Sequence, residues 1–268
     1  MTMVDRGEGS PIVLIPGLQG RWEWMAPAVD AMSARHRVLS FSLGDAKDAR
    51  VPERAFDAWV DHIDALLDHA GETHTTIVGV SFGGLVALYY AAERQDRTSA
   101  LVLVSTPAPK WRWDHPSAGH VRHPRLSLPI FAVRAVGRLL PEMRALEGAA
   151  RPKFLTEHIA RAIRFPASPT RMAGFVRAWD ATDLIAACDR ITAPTLVITG
   201  DPDLDRVVPV DETMQYVSRI RDARHARLAR TGHLGVISRP RRLADMIDQF
   251  IDAAPRTPDS GLRTTMAL

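Results

Sequence analysis

What most restricts the fold of this chain is an alternation of short apolar runs with longer segments whose apolar residues fall three and four positions apart. Runs of that length suit strands buried on both faces, and the longer segments suit helices that each lay one stripe on a sheet. The runs are Pro11 to Pro16, Arg37 to Phe41, Thr75 to Val80, Ala100 to Val104, Pro194 to Thr199 and, more weakly, Ala223 to Ala229. Between them Trp22 to Arg35, Arg54 to His69, Phe82 to Glu93, Asp211 to Ile220 and Arg241 to Ile251 carry the helical period. The order predicts an α/β fold, a mostly parallel sheet of about six strands with helices on both faces.

One interval breaks the rhythm. From Ser105 to Ala193 the chain runs far beyond the roughly dozen residues a parallel crossover needs, so something is inserted there. Irregular chain from Thr106 to Pro129 gives way to helical patterns at Ile130 to Leu140, Phe154 to Phe165 and Arg171 to Trp179. The last places Met172, Phe175, Val176 and Trp179 at i, i+3, i+4 and i+7, a single helical stripe. The expected organisation is a core of residues 1–107 and 181–253, a small helical lid at 108–180, and a disordered tail at 254–268, rich in Pro, Thr, Ser and Gly.

Composition removes whole classes. Of 268 residues, 46% are hydrophobic and 24% charged, as in ordinary globular proteins rather than low-complexity chains. All but three of the 34 basic residues are arginine, yet 31 acids leave a net charge of only +3, which does not favour a nucleic-acid partner. The densest basic stretch, Arg219, Arg221, Arg224, Arg227 and Arg230, lacks interleaved aromatics and reads as a solvated face. A single cysteine, Cys188, excludes an internal disulfide and a cysteine-rich zinc site. His115, His120 and His123 share no helix face, so no metal is expected. The first ten residues carry acids where a signal peptide needs an apolar run, and no stretch is long and apolar enough to span a bilayer. A cytoplasmic, soluble protein without a membrane partner is expected.

The chemistry is concentrated in three places. Gly79-Val80-Ser81-Phe82-Gly83-Gly84 lies where a predicted strand ends and a predicted helix begins. A sharp strand-to-helix turn there exposes the serine hydroxyl and needs glycines beside it, where a Cβ would collide. The plainer alternative is a glycine turn with a helix-capping serine. A dinucleotide fingerprint is excluded, because G-x-G-x-x-G would need glycine at position 81. A nucleophilic serine needs a base and an acid, which follow it along the chain in such folds. Gly200-Asp201-Pro202-Asp203-Leu204-Asp205 follows one strand and Thr231-Gly232-His233-Leu234-Gly235 the last, so both return to the sheet edge that carries Ser81. For anion stabilisation the candidates are the backbone N–H groups of Phe82 and of Leu18, in Pro16-Gly17-Leu18-Gln19-Gly20. A plain β-to-α turn explains those glycines equally well.

These segments together resemble the α/β-hydrolase superfamily, in particular its lid-bearing serine hydrolases, over about Pro11 to Ile251. The elbow, the strand Pro194 to Thr199, the run Asp205-Arg206-Val207-Val208-Pro209 and Thr231-Gly232-His233 carry the likeness. Three features depart from the family pattern. Pro16-Gly17 stands where His-Gly is usual; only ten residues precede the first predicted strand, which implies that an N-terminal hairpin is missing and the sheet starts with the oxyanion strand; and the acid loop is two residues longer than the common spacing from its glycine, which puts Asp203 in competition with Asp205. Counting from Gly200 favours Asp203, whereas the resemblance places the acid just before Arg206-Val207-Val208-Pro209, at Asp205, and leaves Asp203 to cap or pair with an arginine.

The resemblance implies a hydrolase that forms an acyl-enzyme on Ser81, with His233 as base, Asp205 as orienting acid, the Leu18 and Phe82 amides as oxyanion donors, and no cofactor. Phe131, Phe154, Phe175 and Trp179 in the lid, with Trp22 or Trp24 beside the oxyanion loop, favour a small, mostly apolar ester, thioester or lactone, with Trp22 and Trp179 as candidate substrate contacts. Two other readings stay open: a carbon–carbon bond hydrolase or lyase with the same three residues, and a non-catalytic receptor or scaffold that keeps the fold.

Overall fold

A computed structural model of the protein describes residues 3–44, 51, 54–111, 128–146 and 150–253. His115, His120, His123 and the tail at 254–268 lie outside the described residues. Seven strands form one sheet: β1 (Met3–Arg6), β2 (Pro11–Ile15), β3 (Arg37–Phe41), β4 (Thr75–Val80), β5 (Thr98–Val104), β6 (Thr195–Thr199) and β7 (Ala223–Arg227), in the order β1-β3-β2-β4-β5-β6-β7. All neighbours are parallel except β1, which runs antiparallel along β3. The count of six is thereby corrected, and so is the expectation that the sheet starts with the oxyanion strand. Met-Val-Asp-Arg buries only Val4, so an edge strand this short leaves no apolar run in the sequence.

Helices cover both faces: α1 (Ala26–Met32), α2 (Ala55–Ala70), α3 (Phe82–Glu93), α8 (Val210–Arg219), α9 (Gly235–Ser238) and α10 (Pro240–Ala253) belong to the alternating pattern, and α4 (Leu128–Ala145), α5 (Ala150–Arg164), α6 (Pro169–Asp180) and α7 (Leu184–Asp189) lie between β5 and β6. A single helix turn, Trp22–Met25, precedes α1.

Strand residues alternate between two apolar clusters, as the pleat requires. Val13, Ile15, Leu39, Phe41, Ile77, Leu101, Leu103 and Val197 pack under α2, α3 and α7. Ile12, Leu14, Val38, Val78, Val102, Val104 and Ile198 pack under α1 and α10. β7 closes the far edge with Arg224, His225 and Arg227 exposed, and charges there discourage a further strand from pairing. That accounts for part of the arginine-rich stretch.

Parallel strands bring their carboxyl ends, and the turns that follow, to one edge of the sheet. The turn after β2, the β4–α3 junction, the loop after β6 and the loop after β7 all open there.

Candidate active site

The β4–α3 junction is held in a costly conformation. Ser81 has φ 53° and ψ −122°, a region that residues with a Cβ seldom occupy. The flanking glycines are required by contact: a Cβ on Gly79 would lie 2.4 Å from the Gly83 carbonyl oxygen, and one on Gly84 would lie 1.9 Å from Thr106 Oγ1. Two backbone bonds fix the turn, Ser81 N–H to the Val104 carbonyl at 2.8 Å and Gly84 N–H to the Ser81 carbonyl at 2.9 Å. Ser81 makes no side-chain cap to the helix it precedes, so the capping alternative does not describe it.

The hydroxyl faces the histidine loop instead. His233 Nε2 lies 3.0 Å from Ser81 Oγ, and His233 Nδ1 lies 3.4 Å from Asp205 Oδ2. Asp205 is 4% exposed, and its other oxygen, Oδ1, accepts the N–H groups of Val207 and Val208 at 3.1 and 3.0 Å. Burial opposes ionisation of Asp205, but His233 and those two N–H donors outweigh it and hold the carboxyl below its usual range. For His233 burial likewise disfavours the charged form, and Asp205, with a further contribution from Glu142, overcomes it and raises the imidazole above its ordinary value.

Asp203 is exposed and distinct from this chain of contacts. The pairing role expected of it falls to Asp201, whose Oδ2 accepts the Arg230 N–H at 2.7 Å and whose Oδ1 lies 3.6 Å from Arg227 Nε.

Leu18 sits in the turn after β2, which Gly20 N–H closes on the Gly17 carbonyl at 2.8 Å. Gly17 packs beside Ser81, a Cβ there lying 3.5 Å from the serine Cβ. The Phe82 N–H opens α3, and the first N–H groups of a helix have no partner within it. The turn that contains Leu18 and the start of α3 thus both adjoin Ser81.

The aromatic residues divide. Phe82 stacks on Phe175 at 5.5 Å and meets Trp179 edge-on at 6.5 Å, joining α6 to the elbow. Trp179 is 6% exposed and its Nε1 donates to the Pro109 carbonyl at 2.9 Å, so it is a core residue. Trp22 is not brought to the serine: it lines a surface cavity of about 330 Å³ with Met3, Glu23, Ala26, Arg161 and Phe165. Phe154 and Trp24 pack on the second apolar cluster, and the Phe131 side chain lies outside what is described.

Sequence reasoning missed Glu142 on α4. It is 1% exposed, and its Oε2 accepts the N–H of Leu234, the residue after His233, at 2.7 Å. Burial pushes its carboxyl up to about 7 against the pull of the Leu234 and Gly232 N–H groups and of His233. A signal existed: Glu142 stands between Leu139 and Leu146 at helical spacing, where an apolar residue continues the stripe.

A strained serine, a histidine within hydrogen-bond reach and a buried carboxylate on its far nitrogen constitute machinery for nucleophilic attack at a carbonyl. Comparison with known proteins agrees with that class. The model of the alpha/beta hydrolase family matches residues 12–246, and the chain belongs to that family. It is a hydrolase. A 2-hydroxymuconate semialdehyde hydrolase of Pseudomonas sp. (strain CF600) is 27% identical, the alignment covering 93% of this chain and 89% of that one. Among solved structures, the enol-lactonase of Burkholderia xenovorans LB400 superposes with TM-score 0.75 at 22% identity, over 94% of this chain and 96% of its own. An esterase of Exiguobacterium antarcticum superposes with TM-score 0.76 at 17% identity, over 94% and 95%. Among the described residues no helix is long and apolar enough to cross a membrane.

Proposed function

We propose that the protein is a serine hydrolase acting through an acyl-enzyme on Ser81, with a small, mostly apolar carboxylic ester, thioester or lactone as substrate. The observation that carries this reading is the 3.0 Å approach of His233 Nε2 to a Ser81 Oγ raised on a strained turn. His233 takes the hydroxyl proton as Oγ bonds to the carbonyl carbon, and the N–H groups of Leu18 and Phe82 hold the oxyanion that forms. Collapse breaks the bond to the leaving alcohol or thiol, which receives the proton from the imidazolium. Water then attacks the acyl-enzyme by the same sequence and frees the acid and Ser81. Asp205 keeps the proton on Nδ1 and so leaves Nε2 free to accept. None of these steps needs a cofactor. The helices α4, α5 and α6 act as a lid, and the packing of Phe175 and Trp179 of α6 on Phe82, the residue after the serine, favours an apolar acyl group.

A second reading is cleavage of a carbon–carbon bond beside a carbonyl group by the same three residues. It is favoured by the relative named for 2-hydroxymuconate semialdehyde, which this chain matches along most of its length.

Labelling with a fluorophosphonate tests the serine. Wild-type protein takes the label, and Ser81→Ala abolishes it and lowers turnover by orders of magnitude. Label retained by the variant removes Ser81 from the mechanism. A panel of short-chain esters, lactones and 2-hydroxymuconate semialdehyde then separates the two readings by which substrate is turned over.

A further inference from the structure

Glu142 takes no part in the steps above, yet its surroundings are unlike those of an ordinary helix carboxylate. α4 carries it inward one residue after Pro141, to the loop that holds His233. One carboxyl oxygen is bonded to the Leu234 N–H, while the other, Oε1, is buried with no hydrogen-bond partner among the described residues. A buried carboxyl satisfied on one side only is less stable there than an apolar side chain of similar size. Leucine would also extend the stripe of Leu139 and Leu146. The placement thus runs against packing and brings an ionisable carboxyl to the histidine loop, where it interacts electrostatically with His233 and Asp205.

We propose that Glu142 is a positioning residue for the reaction: from the inserted helix it anchors the backbone that carries His233 and sets a second carboxylate beside the imidazolium formed when Ser81 is deprotonated. Asp205 neutralises that charge at Nδ1, and Glu142 adds to it from the side of the lid. The anchor exists only while α4 is seated, so the orientation of the imidazole is coupled to the cover over the site. This inference rests on the serine-hydrolase reading for its kinetics, but the state of the imidazole can be read independently.

Glu142→Gln separates charge from hydrogen bonding, because the amide oxygen still accepts the Leu234 N–H. Two measurements are made on it: the fluorophosphonate labelling rate against pH, and the titration of the His233 imidazole by NMR. Expected are a labelling rate lower on the order of threefold to tenfold, an ester kcat lowered with KM little changed, and an imidazole titration moved to lower pH. Glu142→Asp, which keeps the charge, restores most of the imidazole titration and serves if Glu142→Gln does not fold. An imidazole titration and labelling rate unchanged in Glu142→Gln overturn the proposal. Wild-type protein that takes no label overturns the serine-hydrolase reading instead, and the NMR titration alone then decides the role of Glu142.

Discussion

Among the described residues two histidine–aspartate pairs, one buried and one partly buried, lie at opposite edges of one sheet. His36, just before β3, places Nε2 2.8 Å from Asp248 Oδ1 of α10, and Arg35 approaches the other oxygen of Asp248 at 3.1 Å. His233, after β7, lies 3.4 Å from Asp205. The tighter pair is the one at the amino edge, where, among the described residues, no serine side chain is bonded to the ring. Its second ring nitrogen, Nδ1, is buried with no hydrogen-bond partner among the described residues, whereas the second nitrogen of His233 meets Ser81. The His36 pair fastens the last helix to the sheet, and the His233 pair faces the strained turn. A histidine–carboxylate contact is therefore neutral as to function; the third group, and the end of the strands at which it is presented, decide the role.

The comparison breaks most sharply at the two aspartates. Asp205→Asn is expected to cost on the order of a hundredfold or more in turnover. The amide oxygen can keep the Val207 and Val208 bonds, but its NH2 then faces Nδ1 as a second donor and drives the imidazole to the wrong tautomer. Asp203→Asn is the control, with turnover near normal. A large loss at Asp203 with normal turnover at Asp205 reverses the assignment.

Next in size is the pH dependence. The neutral imidazole accepts the serine proton, and His233 is raised above its ordinary value. The acid limb of turnover is expected above the unperturbed ~6.5, with activity falling about tenfold for each pH unit below it. A rate independent of pH between 5 and 8, with chemistry limiting, counts against a histidine base.

The smallest catalytic effect belongs to the other pair. Asp248→Asn should leave turnover within about twofold while lowering stability by about 1–3 kcal/mol, since a buried hydrogen-bonded group loses its charged partner. Chemical denaturation with an activity assay on the same samples checks it; a turnover loss comparable to that of Asp205→Asn would merge the two pairs into one functional unit.

The elbow, the acid loop and the histidine loop are legible in the sequence because each needs particular residue types at fixed spacing, and β3, β4 and α3 span the residues their apolar patterns delimit. What escapes is set by contacts across the chain. β1 buries one side chain and declares itself only by pairing with β3. α7, six residues long, is too short to display a period. Trp179 reads equally as substrate contact or core until Phe82 and Pro109 are seen around it. Glu142 carries a local signal, a carboxylate in an apolar stripe, but its partner lies far along the chain.

Gly232 has no room for a side chain: a Cβ there would sit 2.4 Å from the Leu204 carbonyl oxygen, and one on the opposed Gly200 would sit 2.4 Å from that of Thr231. The loops that carry the acid and the base are thus interlocked through their backbones, and neither can be lengthened, exchanged or rebuilt alone. For anyone transplanting this site to another scaffold, the transferable piece is the two loops together, as one rigid block, with the serine turn docked against it.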